Sequence, residues 1–251
     1  MLAELFEWFR ETGDIPTRLW EHVRLSGTSV LGASVIGLPI GLYIGHLRRF
    51  EFVAVTAANL GRAIPSFAIL SLALPLSIQF GLGLGFWPTF VALLLLAIPP
   101  ILTNTYVGVK EVDADTIEAS RGMGMTGAQV LRRVRLPLAM PLIVAGIRTS
   151  AVQVVATATL AALVAGGGLG TYIVFGFRAG DDGALLGGAL LVALLAFATE
   201  LGLGLVEKAL GARSTGMRRS KWRPGESDLM VVEARGLGRE PRPSGDAALG
   251  G

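Results

Sequence analysis

The sequence predicts an all-α, polytopic integral membrane protein, with five transmembrane helices and a helical loop between the third and the fourth. Three observations predict it. Of 251 residues, 52% are hydrophobic and only 16% charged, where a soluble domain carries about 25% charged residues. The mean hydropathy is +0.60. The charges are also segregated: residues 25–47, 63–109, 149–177 and 183–199 contain no Asp, Glu, Lys or Arg. Crossing the hydrocarbon core takes about 20 apolar residues in helical form, because lipid offers the backbone no hydrogen-bond partners. A buried bundle in a soluble protein would need polar helix faces, and these runs have none. The apolar content excludes disorder over most of the length. The absence of cysteine removes disulfides, thiolate metal sites and cysteine nucleophiles, and leaves the redox compartment open.

Residues 1–24 carry five acids (Glu4, Glu7, Glu11, Asp14, Glu21) and three bases (Arg10, Arg18, Arg24), the reverse of a secretory n-region. Leu2, Leu5, Phe6 and Phe9 recur at helical spacing. This extracytoplasmic amphipathic segment is either an interfacial helix or a solvated one. The membrane domain follows at 25–210, with spans near 25–47, 52–78, 86–109, 149–166 and 184–206. The run 63–109 is long enough for the second and third spans, with a turn at Gln79-Phe80-Gly81-Leu82-Gly83-Leu84-Gly85 closed by Trp87-Pro88, an aromatic suited to the interface. Residues 211–251 turn to Arg, Gly, Pro and Ser, and read as a disordered cytoplasmic tail. Its cluster Arg218, Arg219, Lys221 and Trp222 either touches anionic lipid or is a solvated stop-transfer flank.

Five spans place the termini on opposite sides. With the N-terminus outside, the inner segments hold Arg48, Arg49, Lys110, Arg121, Arg132, Arg133, Arg135, Arg148, Lys208, Arg213, Arg218, Arg219, Lys221 and Arg223, while the outer ones hold Arg10, Arg18, Arg24 and Arg178. The positive-inside bias selects that orientation. The net charge of +3 therefore reflects topology, and nucleic acid is not needed to explain it.

The loop 110–137 carries the most information. Asp113 or Asp115 can cap a short helix to about Arg121, which the turn Gly122-Met123-Gly124 breaks. Thr126 and Gln129 have the spacing of a capping box, each side chain satisfying an orphaned N–H at the next helix start. That helix bears Val130, Leu131 and Val134 on one side, with Arg132, Arg133 and Arg135 elsewhere, and Pro137 is expected to end it. Two short helices about a glycine turn also describe a DNA-binding unit. Its place between two spans and the lack of a third helix argue against that reading.

This stretch resembles the signature of permease subunits of ATP-binding-cassette importers: Glu118-Ala119-Ser120, three residues, Gly124, nine residues, Val134, one residue, Leu136-Pro137. The departures are Ser120 for Ala and Val134 for Ile. Further stretches resemble the osmoprotectant subfamily (glycine betaine, choline, carnitine): Arg62-Ala63-Ile64-Pro65-Ser66, Asn104-Thr105-Tyr106, Ala145-Gly146-Ile147-Arg148-Thr149 and Ala165-Gly166-Gly167-Gly168-Leu169-Gly170. The resemblance covers most of 25–206, and implies a multi-pass subunit of a bacterial inner membrane. It further implies a loop inserted into a cleft of a cytoplasmic ATPase subunit, with Glu118, Ala119, Ser120, Arg121, Gly124, Leu136 and Pro137 at or near the coupling contact. ATP is then used by that partner, no cofactor is bound by this chain, and a second permease copy or paralogue and an extracytoplasmic binding protein complete the importer. An importer for another small polar solute, such as an amino acid, is the alternative within the class.

Within the spans, Asn59, Arg62 and Ser66 form one polar stripe and Thr149, Gln153 and Thr157 another. With Asn104 they are candidates to line a pathway or to join helices. Residues 138–147 are expected along the interface, leaving 149–166 as the crossing and Arg148 snorkelling to headgroups or binding the loop. Glu200 is a candidate partner for Arg62 or Arg148. The glycines at 166–168 and 170 predict an irregular outer end to the fourth span, against which a binding protein could press. An autonomous channel or secondary carrier is disfavoured, because neither internal repeats nor intramembrane acid pairs are present. A membrane-embedded enzyme is disfavoured too: the two histidines, His22 and His46, lie far apart, and the chain has no Walker-type Gly-Lys-Ser/Thr and no metal-ligand cluster. The aromatics do not gather in the spans, so an aromatic cage for a quaternary ammonium belongs on the binding protein.

Overall fold

The computed structural model describes residues 2–47, 52, 56, 61 and 63–215. The chain divides into two units, 1–214 and 215–251, and the second lies outside the described residues apart from Thr215; of the expected tail, residues 211–215 close the last helix, while the rest, with its basic cluster, lies outside the described residues. Asn59 and Arg62 also lie outside them.

Every regular element among the described residues is helical. In chain order these are α1 (Leu2–Glu11), α2 (Ile15–Leu47), α3 (Ser66–Gln79), α4 (Phe86–Lys110), α5 (Ala114–Gly122), α6 (Gly127–Val130), a π turn (Leu131–Arg135), α7 (Leu136–Thr157), a 3₁₀ segment (Ala158–Val164), α8 (Gly170–Ala179) and α9 (Asp182–Thr215). Among the described residues, four helical stretches are long and apolar enough to cross a membrane: Ile15–Leu47, Phe86–Lys110, Gly127–Val164 and Asp182–Gly211. Ser66–Gln79 is a shorter apolar helix and forms the described part of the expected span 52–78.

The core is built around α4, which packs against α2 on one side and α7 on the other. A stripe of small residues on α2 makes this possible. Ser29, Ala33, Gly37, Gly41 and Gly45 recur every fourth residue and are all buried. A Cβ at Gly41 would lie 2.8 Å from Thr105 Cβ, and one at Gly45 2.8 Å from the Tyr106 carbonyl oxygen. The helices thus approach backbone to side chain, the packing that lipid-embedded helices use when burial of apolar area gives no net drive. Leu93, Leu96, Ala97 and Ile101 of α4 meet Leu25 and Ala33 of α2 and Val154 of α7 in one cluster. Across the other interface, Ser150 Oγ donates to the Ala97 carbonyl at 2.9 Å. The prolines inside α2, α4 and α7 (Pro39, Pro99, Pro100, Pro141) do not end their helices, as is common where neighbouring helices satisfy the freed backbone groups.

The helix boundaries differ from the expected span limits at several points, and one expectation, at Pro137, is corrected. Pro137 ends no helix. The Leu136 N–H bonds the Leu131 carbonyl, one residue further back than in an α-helix, and this π turn carries the chain past the proline, whose missing N–H costs nothing at the start of α7. In consequence residues 138–147 are continuous with the helix that follows them. Gly127–Val164 is one helical run of 38 residues, with Arg148 inside it. Its end falls at Val164, where Ala165 turns left-handed with φ 61°, and not at Gly166. At the N-terminal side α2 begins at Ile15, ten residues before the charge-free run, because hydropathy marks where a helix can enter lipid and not where its backbone starts. The turn at 80–85 is present as expected, with Ser77 Oγ donating to the Gly83 carbonyl at 2.7 Å. The helix α8 was not anticipated.

Candidate functional site

The loop between α4 and α7 supports itself. Asp113 caps α5, its Oδ1 accepting from the Asp115 N–H at 3.2 Å. Gly124 sits at φ 82°, a left-handed conformation that non-glycine residues adopt at a cost, and it reverses the chain after α5. Thr126 and Gln129 form the capping box: the Thr126 N–H donates to Gln129 Oε1 at 2.8 Å and the Gln129 N–H to Thr126 Oγ1 at 3.4 Å. Beneath these caps Val112, Ile117 and Val130 bury together with Met125 against them.

This arrangement sorts the signature residues. Glu118, Ala119, Arg121, Gly124 and Pro137 are exposed. Ser120 is buried and its hydroxyl is used locally, donating to the Thr116 carbonyl at 2.7 Å, while Leu136 packs half-buried beside Val109, Ala139 and Ile143. Glu118 and Arg121 border a cleft of about 260 Å³ whose other walls are His46, Leu47, Ala114, Ile117 and Arg135. Arg135 was not singled out from the sequence. It is 4% exposed, and its Nη1 donates to the carbonyls of His46 at 3.0 Å and Gly45 at 3.4 Å. A guanidinium thereby sits on the C-terminal carbonyls of α2, where a helix favours positive charge, and it ties the loop to α2.

The far end of the 38-residue run is held in a different way. From α2, Glu21 Oε2 accepts from the Gly168 N–H at 2.9 Å, and His22 Nδ1 accepts from the Leu169 N–H at 3.3 Å. His22 Nε2 lies 2.9 Å from the Val155 carbonyl. Together these bonds require the neutral tautomer protonated on Nε2. Gly167 and Gly168 have φ of 71° and 79°, and a Cβ on Gly167 would strike the Glu21 carboxylate. The irregular end expected from the glycines is therefore present, and it is pinned. Beside it the Tyr172 hydroxyl of α8 donates to Asp14 Oδ1 at 2.5 Å, which holds the Asp14 carboxyl below its usual range. Burial first, and then this bond, push the Tyr172 phenol up. Arg18 bridges Asp14 at 3.1 Å and Glu21 at 3.3 Å.

Of the polar stripes, Ser66 is half-buried at the start of α3. Asn104 lies between α4 and α7 against Gly146, and its Nδ2 donates to the Pro100 carbonyl at 2.8 Å. Thr149 is exposed and bonds its own helix at the Ala145 carbonyl, whereas Gln153 and Thr157 are half-buried. The hydroxyl that joins α7 to α4 belongs to Ser150, one residue beyond the expected stripe. The described contacts of Arg148 run to α9 and not to the loop. Its Nη1 lies 3.2 Å from Glu200 Oε1, the partner anticipated, and its Nε lies 3.2 Å from Glu207 Oε2, which was not. No cluster of His, Asp and Glu able to hold a metal occurs among the described residues.

Residues 37–212 match the family described as the binding-protein-dependent transport system inner membrane component. The chain is 36% identical over 209 residues to the choline transport system permease protein of Bacillus subtilis, covering 83% of this chain and 93% of that one. It is 36% identical over 204 residues to a carnitine transport permease protein of Listeria monocytogenes, covering 81% and 91%. A glycine betaine/carnitine/choline transport system permease protein of Bacillus subtilis is 36% identical over 196 residues, covering 78% and 88%. Among solved structures, an inward-facing methionine ABC transporter superposes with a TM-score of 0.69 at 25% identity, over 76% of this chain and 93% of that one.

Proposed function

Because the chain belongs to the family of binding-protein-dependent transport system inner membrane components, we propose that it is the permease subunit of an ATP-driven importer for a quaternary-ammonium osmoprotectant such as glycine betaine, choline or carnitine. The observation that carries this reading is the likeness, along most of the chain, to permeases named for those three solutes. The subunit crosses the bacterial inner membrane five times, with α3 and the residues before it as the second span, its N-terminus outside and its C-terminus inside. It works beside a second permease, two ATPase subunits and an extracytoplasmic binding protein.

The loop geometry supplies a mechanism. The exposed face of Glu118, Ala119, Arg121 and Gly124 enters the ATPase cleft, while Ser120 and Leu136 hold that face in shape. Closure of the ATPases about ATP moves the loop. The unbroken helical run from Gly127 carries the movement into the bilayer, at about 1.5 Å per residue. The rocking of α7 against α4 then opens the pathway to alternate sides, with Ser66, Asn104, Thr149, Gln153 and Thr157, together with Asn59 and Arg62, as its candidate lining. The chain hydrolyses no ATP itself.

An amino-acid importer is the second reading, favoured by the fold shared with the methionine transporter. The higher identity to the osmoprotectant permeases weighs against it. Reconstitution in liposomes with the ATPase and binding protein tests both, with labelled glycine betaine, choline and methionine as probes. The expected result is ATP-dependent betaine or choline uptake that requires all components. It should fall by at least about tenfold in Glu118→Ala, and further in Gly124→Pro, because proline cannot reach a positive φ. Uptake or conductance by the chain alone would overturn the proposal in favour of an autonomous carrier or channel.

A further inference from the structure

The ion triad of α7 and α9 is unused by the reading above. Glu200 and Glu207 are seven residues apart, two turns of α9 on one face, and the Arg148 guanidinium spans them with its Nη1 and Nε. Gly204 lies between the two carboxylates on the same face, and a Cβ there would stand 3.4 Å from Arg148 Nη1. The site is therefore shaped to the guanidinium, and Glu207 Oε2 is closed off from solvent at its floor.

What makes the triad informative is how little else holds this half of α9. Only 6% of the apolar window of α9 is buried, against 50% in α4. Its apolar packing among the described residues is at the N-terminal end, where Leu191, Val192 and Leu195 meet Leu169 and Tyr172. Beyond Leu195, the large side chains Phe197, Leu201, Leu205 and Val206 are exposed. Arg148, in contrast, lies on the run that begins in the helical loop, 21 residues from Gly127 and so about 30 Å along the axis at 1.5 Å per residue.

We propose that Arg148 is a positioning residue for transport: through Glu200 and Glu207 it latches the C-terminal half of α9 to the helical run, so that movement of the loop carries α9 with it. Charge pairs are the suitable device at a lipid-facing helix. Apolar side chains gain nothing by leaving lipid for one another, whereas unlike charges attract more strongly where the dielectric is low. A single cation between two carboxylates also keeps one contact while the helices slide by a turn.

The inference rests on the importer reading. In the complete reconstituted complex, ATP hydrolysis and ATP-dependent glycine betaine uptake are measured together for Arg148→Gln, for the single variants Glu200→Gln and Glu207→Gln, and for the exchange Arg148→Glu with Glu207→Arg. The expected result is hydrolysis close to that of the parent, with uptake per ATP about tenfold lower in Arg148→Gln, a typical size for coupling between sites. The singles should lose less, and the exchange should recover much of the loss. A brace that is merely structural would lower thermal stability and leave uptake per ATP unchanged, and that result overturns the latch. If Arg148→Gln does not assemble, the two singles decide, since each leaves Arg148 one carboxylate: unchanged coupling in both overturns the proposal. Absence of any osmoprotectant uptake by the parent complex counts against the importer reading and the latch together. Parent uptake with unaltered coupling in the variants counts against the latch alone.

Discussion

The two ends of the 38-residue helical run are built on opposite plans. At the start, the helical loop is made of neighbours: Asp113 caps at two residues' distance, Thr126 and Gln129 at three, and Ile117 and Val130 bury each other. Its longer reach is made at the base, where Arg135 bonds the end of α2 and Leu131 and Leu136 join the cluster that Leu38 and Leu42 also enter. At the other end, the glycine loop 165–170 is held chiefly from a distance, by Glu21 and His22 of α2, 147 residues away in the chain. A loop that supports itself can turn its charged side chains outward, as Glu118 and Arg121 do. A loop pinned from outside spends its polar partners inward and becomes part of the core. The contrast suits a moving contact at one end of the run and a fixed pivot at the other.

The strongest challenge to this contrast is at the pinned end. His22→Ala removes the acceptor of the Leu169 N–H and the donor to the Val155 carbonyl, both buried. Each group left unpaired costs about 1–3 kcal/mol, so global unfolding of the purified chain in nanodiscs should shift by several degrees, at about 2–4 °C per kcal/mol. Thr126→Ala should cost about 1 kcal/mol, with the effect confined to the loop and visible as faster amide exchange at residues 127–130. If Thr126→Ala lowered the global transition as much as His22→Ala, the two ends would not differ in kind.

The smallest effect is one of pH. The Tyr172 hydroxyl bond holds Asp14 below its ordinary value of 3.8, so the stabilisation from Asp14 is complete above that value and is lost as pH falls through the lower folded one. Tyr172 is raised above its ordinary value of 10, so its contribution is complete below pH 10 and is lost as pH rises through the folded value. Tyr172→Phe should therefore let the folded Asp14 value return toward 3.8, which shrinks the acid loss of stability that Asp14 contributes, and should abolish the alkaline loss. Thermal melts across both limbs read this directly, and an unchanged acid limb would remove Asp14 from the pinned end.

Much of the helical loop was legible in the sequence, because caps and turns are interactions among residues two to four apart. Asp113, Gly124, Thr126 and Gln129 do what their spacing predicts. The small-residue stripe Ser29, Ala33, Gly37, Gly41 and Gly45 was not among the features read from the sequence; its spacing marks a helix face fit for close packing without saying which helix it meets. Pro137 misled, since a proline stops a straight α-helix but not one that takes a π turn before it. The polar stripe at Thr149, Gln153 and Thr157 missed Ser150 because a period of four leaves the rotation of the helix undetermined by one position.

By itself the sequence determined that this chain enters a membrane and that the turns and caps of one loop come from its own residues. Each of these follows from composition or from spacing within a turn or two of helix. Only the tertiary structure decided that His22 fastens the glycine loop, that Arg135 caps α2, and that Arg148 reaches both Glu200 and Glu207. Those pairs bring together residues some 50 to 150 positions apart, and a side chain's local spacing carries no information about which distant helix will lie across from it.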